Sequence, residues 1–132
     1  MPKVTVKDYR PKQSVVLEFP FGYPSKNITE YMRSWQKKKK LHDEFQGKVH
    51  KYLLSKRCPN FPNPVKILID LYFPTKRKRD IANYSPNWLL DALHYSKVIV
   101  DDSTEFIPEA PDIKIISGET KQNKIVVQIN EL

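Results

Sequence analysis

Acidic residues at three places in this chain have the neighbours that phosphodiester chemistry needs. Asp80 follows the cations Lys76, Arg77, Lys78 and Arg79. Asp101 and Asp102 end the short apolar run Val98-Ile99-Val100, and Asp91 lies between the two places. Carboxylate oxygens are hard ligands that suit Mg2+, which binds through few carboxylates plus substrate phosphates. Such a metal polarises the scissile phosphate and lowers the pKa of an attacking water. Lys and Arg beside it neutralise further phosphates and fix the strand without reading its sequence. Each feature also has a plainer reading. The basic run can be a solvated loop, and Asp101-Asp102-Ser103 a turn or cap. Asp91 can point to solvent. Lys37, Lys38, Lys39 and Lys40 can be a surface run or can lie along a phosphate backbone.

Other chemistries are excluded or unsupported. Cys58 is the only cysteine, which rules out an intrachain disulfide and a Cys-based zinc cluster. His42, His50 and His94 are scattered and form no metal-spacing pair.

The elements that must position these groups follow from local pattern. Ser14 to Phe19 is β-rich and reads as a strand that Pro20 ends. Residues 19–27 are dense in turn formers and read as a loop. Leu41, Phe45, Val49, Tyr52 and Leu53 mark one apolar helix face, stopped by Pro59, Pro62 and Pro64. Val65 to Phe73 is the strongest strand, apolar enough for both faces to be covered. Ser85 suits an N-cap with Pro86 at the first helical position, predicting a helix over 86–95. Tyr84 and Leu89 are placed for a hydrophobic staple. Asp112–Ile116 and Lys124–Ile129 read as strands, and the link through Gly118 suits a hairpin. Trp35 and Trp88 suit core or interface positions. The expected architecture is α+β: a small mixed sheet with helices packed on it and a C-terminal β-hairpin. Residues 1–13 read as a loose arm or an edge segment, and 14–132 as a single domain.

Composition agrees with that reading. The 132 residues carry 23 Lys plus Arg and 15 Asp plus Glu, a net charge of +8, with a pI near 9.5. Hydrophobic residues make up 39%, enough for a core. A basic domain is drawn to polyanions, above all nucleic acid or acidic membrane surface. No run approaches the ~18 apolar residues of a membrane span, and the first residues lack a secretory pattern. The chain is expected in the cytoplasm.

In order along the chain, Val65–Asp70, Phe73-Pro74, Lys76-Arg77-Lys78-Arg79-Asp80-Ile81-Ala82-Asn83, Leu90-Asp91-Ala92-Leu93 and Val100-Asp101-Asp102-Ser103 resemble the RusA family. These are phage- and prophage-encoded Holliday junction resolvases. The upstream Phe19-Pro20 and Pro24-Ser25-Lys26-Asn27 are similar to the family's N-terminal Pro-rich loop. The resemblance implies a homodimeric, magnesium-dependent endonuclease that cuts four-way DNA junctions in recombination and repair, inside a bacterial host. It puts the metal-binding acids at Asp80, position 82, and Asp102 with its neighbour Asp101. It gives Arg79 and the cations before it to DNA binding, and it makes Asp91 structural. Two positions depart from the family pattern. Position 82 is Ala where the family has Asp, and Ser85-Pro86-Asn87-Trp88 stands where the family has a lysine. Alanine cannot ligate a metal, so cleavage is expected to be crippled. The alternative implied by the same fold is a catalytically inactive junction-binding protein. Two origins fit Ala82: a substitution that blocks cleavage, or a natural chain that binds without cutting.

Overall fold

The computed structural model describes residues 12–25 and 34–132. The arm as far as Pro11, with Lys26 and Asn27 of the turn-rich loop, lies outside the described residues. The elements are β1 (Ser14–Phe19), α1 (Trp35–Leu54), β2 (Val65–Phe73), a 3-10 turn (Ile81–Asn83), α2 (Asn87–Tyr95), β3 (Asp112–Ser117) and β4 (Lys124–Glu131). The strands form one mixed sheet in the order β1-β4-β2-β3. β4 runs antiparallel to β1 and β2, and β3 runs parallel to β2. The α+β architecture expected from the pattern is the one present.

The last two strands make a hairpin-like return with one departure from a tight hairpin. They run in opposite directions through a short link, but β2 lies between them and they share no ladder. The reason is the crossover. A parallel β2–β3 pair needs a long connection, which α2 supplies, and this leaves β3 on the far edge. The link must then pass the end of β2 to reach the central slot of β4. Gly118 makes this possible with φ +76 and an N–H bonded to Phe73 O at 2.8 Å. The left-handed φ strains any other residue, and a Cβ there would stand 2.7 Å from Lys76 Cγ and displace that side chain, so glycine suits the position.

Side chains at alternate strand positions point to one face, and both helices cover that face. Val65, Ile67, Ile69 and Leu71 of β2 are buried there with Ile125, Val127 and Ile129 of β4. Phe45, Val49 and Leu53 of α1 meet them at helical spacing, as do Leu89, Leu90, Ala92 and Leu93 of α2. The intervening β2 residues Lys66, Leu68, Asp70 and Tyr72 are only half-buried. This corrects the expectation that both faces of β2 are covered: its apolar run is continuous, but among the described residues both helices pack on one side.

α2 begins at Asn87 with Pro86 in the N-cap position, one residue later than Ser85-Pro86 implies, but Ser85 still bonds into its first turn. Ser85 Oγ accepts the Asn87 N–H at 3.3 Å, and the Pro86 carbonyl accepts from the N–H groups of Leu89 and Leu90. The Tyr84 ring packs on Phe73, with centroids 5.5 Å apart.

Candidate nucleic-acid interface and acidic residues

The cationic loop leaves the carboxyl end of β2 and is held by one of its own cations. Arg79 Nη1 donates to the carbonyls of Thr75 at 3.0 Å and Arg77 at 2.9 Å. Nη2 donates to Thr75 Oγ1 at 2.7 Å, and the guanidinium stacks 4.0 Å from the Phe73 ring centroid. Arg79 therefore spends these donors on folding the loop. Lys76, Arg77 and Lys78 are the exposed members of the run.

Asp80 caps the 3-10 turn that follows, with Oδ1 accepting the Ala82 N–H at 3.0 Å. That bond fixes residue 82 two positions away, with its side chain exposed. The turn packs beside β3.

α2 is tied to the rest of the molecule by contacts the sequence pattern does not announce. Tyr23, from the turn-rich loop, donates its hydroxyl to Ser85 O and accepts the Leu89 N–H at 3.1 Å. It caps the helix from outside, and burial pushes its hydroxyl well above the usual phenol range. Asp91 is half-buried rather than turned wholly to solvent, and its Oδ2 lies 3.2 Å from His42 Nε2 on α1. Trp88 stands edge-on to Phe45 at 6.2 Å and lies 5.8 Å from the His42 ring. Trp88 thus serves the helix–helix contact. Trp35 is 72% exposed at the start of α1.

These contacts set the direction of α2. Its first turns lie against the first half of α1, while Ser96 at its far end meets His50. Lys37, Lys38, Lys39 and Lys40 are exposed in the opening turns of α1. They sit toward the same end of the molecule as Lys76, Arg77 and Lys78. No acidic residue offsets them in the first turn, where the helix dipole disfavours cations. Lys39 pairs with Asp43 one turn on, at 3.6 Å.

Asp101 and Asp102 lie at the other end. Ile99 bridges Phe61, and Phe106 O accepts the Val65 N–H, so the acid pair belongs to the amino end of β2. Asp80 belongs to its carboxyl end, because Arg79 reaches Ser117 opposite Phe73. β2 is nine residues long, roughly 26 Å, and α2 runs back along it. The expected meeting of Asp80 with Asp101 and Asp102 is therefore not made within the chain. The helix that was to fold back between them instead holds them apart. Asp101 Oδ1 accepts the Asp102 N–H at 2.8 Å. That bond from the Asp102 backbone, with the neighbouring His94, holds its carboxyl below the usual carboxylate range. Among the described residues no group of three or more His, Cys, Asp or Glu is placed to hold a metal ion. The donors of a single chain thus do not fit magnesium: one end supplies Asp80 beside Ala82, and the other supplies the acid pair.

Among the described residues no helix is long and apolar enough to cross a membrane. No protein-family model matches the chain, and no curated protein matches it.

Proposed function

We propose that this chain has the fold of a RusA-type, magnesium-dependent junction-resolving endodeoxyribonuclease, with cleavage disabled at Ala82 and four-way junction binding retained. The observation that carries this reading is the loop-and-turn unit after β2. Three exposed cations lead through a folded Arg79 to a capping Asp80 and an outward-facing Ala82. That is the frame in which the resemblance puts two acids and a DNA grip.

In this reading Lys76, Arg77 and Lys78 neutralise phosphates of one arm, and Lys37 to Lys40 extend the cationic surface to a second arm. Arg79 is a positioning residue that keeps the loop in shape. Magnesium, when bound, would supply charge neutralisation at the scissile phosphate and an activated water. Asp101 and Asp102 join Asp80 only if a second copy brings them. A homodimer with a two-fold axis provides that copy and suits two symmetric cuts.

The test is a competition assay between an immobile four-way junction and a linear duplex of the same arm sequence. The expected result is a preference for the junction, with affinity that falls linearly in log–log form as salt rises. Equal affinity for the two DNAs contradicts the reading.

A further inference from the structure

The end of α2 breaks a local rule, and it does so on the wall of a cleft. The helix closes with a Schellman arrangement: Val98 N–H bonds to Leu93 O at 2.9 Å and Lys97 N–H to His94 O at 3.0 Å. The residue that closes it must adopt the left-handed conformation, where glycine is the usual choice. Here it is Lys97, with φ 61, the one non-glycine residue with positive φ among the described residues. Non-glycine residues held in this region cluster at functional sites, where the side chain is worth the backbone strain.

Lys97 lines a cleft of about 390 Å³ with Asn60, Phe61, His94, Tyr95 and Val100. That is within the size range of small-ligand sites. Tyr95 is 57% exposed and Val100 47%, although both are large and apolar enough to prefer burial. The Tyr95 ring is braced by His50, with centroids 5.2 Å apart and planes at 75°. A braced, exposed aromatic with a cation two residues on is the pairing that single-stranded nucleic acid uses: the base stacks and the phosphate is neutralised. The cleft opens next to the acid pair, since Val100 immediately precedes Asp101.

We propose that this cleft receives one unstacked nucleotide from the branch point of a DNA junction, its base on Tyr95 and Val100 and its phosphate at Lys97. The inference rests on the junction-binding reading and adds a second contact, at the opposite end of α2 from the lysine loop. A base pair at a branch point opens and unstacks more readily than one within a linear duplex, so the cleft contributes selectivity where the lysines contribute general affinity.

The experiment compares the unmodified chain with Tyr95→Ala, Tyr95→Phe and Lys97→Gly on the immobile junction and on linear duplex. Tyr95→Ala and Lys97→Gly are each expected to weaken junction binding about tenfold and to leave duplex binding unchanged. Tyr95→Phe is expected to bind as the unmodified chain does. Lys97→Gly is expected to melt a few degrees higher, which keeps loss of folding out of the result. A 5-iodouracil placed at the branch is expected to crosslink to Tyr95 on illumination. Junction affinity unchanged in Tyr95→Ala and Lys97→Gly, or equal losses on both DNAs, overturns the cleft and leaves the junction reading standing. An unmodified chain with no preference for the junction overturns both.

Discussion

Replacing Ala82 by Asp is expected to give a protein that nicks four-way junctions, with magnesium, at least about 100-fold faster than the present sequence. Even residues that only support a metal ligand are worth 10- to 100-fold, and a missing ligand removes more. The substitution should be well tolerated. Residue 82 is exposed in a 3-10 turn whose cap, Asp80, bonds to the backbone of residue 82 and not to its side chain. An added carboxylate there meets the like charge of Asp80 and the cations of the preceding loop, an arrangement that is relieved when a divalent ion binds. Ala82→Asn separates charge from shape: it fills the same space and is expected to restore nothing. The readout is a denaturing gel of end-labelled junction strands, with and without magnesium.

Replacing Glu131 by Ala is expected to lower stability by about 3 kcal/mol. Glu131 is 7% exposed near the end of β4, the one buried charged side chain among the described residues. Its Oε1 accepts the Gln13 N–H at 3.0 Å, and its Oε2 accepts from Asn63 Nδ2 at 2.7 Å. Its own N–H donates to Gln13 O at 2.8 Å, while Leu132 N–H donates to Pro64 O. One carboxylate thus ties the entry to β1 and the entry to β2 onto the last strand. Alanine leaves the Gln13 N–H and the Asn63 amide without that acceptor in a half-buried place, and such losses cost about 1–3 kcal/mol each. Glu131→Gln keeps one acceptor and is expected to fall between the two. Thermal unfolding checks both, and a melting temperature unchanged in Glu131→Ala contradicts this account of the clamp.

Much of the fold was legible from local pattern. β2 declared itself by nine residues rich in apolar and β-branched side chains, and α1 by Phe45, Val49 and Leu53 at helical spacing. Ser85-Pro86 marked the start of α2 because capping is a short-range interaction. The mixed sheet was legible as a class, but its strand order was not. Nothing local to β3 or β4 says that β2 will separate them; a parallel pair and its crossover decide that. The burial of β2 on one face alone was hidden for the same kind of reason, since a continuous apolar run records hydrophobicity and not which side a helix covers.

The candidate site was legible in its residue types and not in its placement. Asp80, Ala82 and the exposed lysines follow β2 in the order the sequence implied. Arg79 carries no sign in the sequence that its donors will close back on Thr75 and Arg77. Tyr23 is a partner of Ser85, 62 residues away. His42 meets Asp91 at a separation of 49. Such pairs are products of tertiary packing, and a single sequence holds no periodicity that reports them. The chain order that placed Asp80 and Asp101 on either side of one helix was read correctly. The helix separates them because it lies along β2 as a crossover rather than turning between them.

The most direct measurement uses the Ala82→Asp chain in two further forms, one with Asp80→Ala and one with Asp101→Ala and Asp102→Ala. Each alone is expected to bind four-way junctions and cut nothing. Refolded together, they are expected to nick the junction, because a mixed pair then holds one site with Asp80 from one copy and the acid pair from the other. A mixture as inert as its components, while the parent Ala82→Asp chain nicks, would contradict the claim that the acids of this chain meet across two copies.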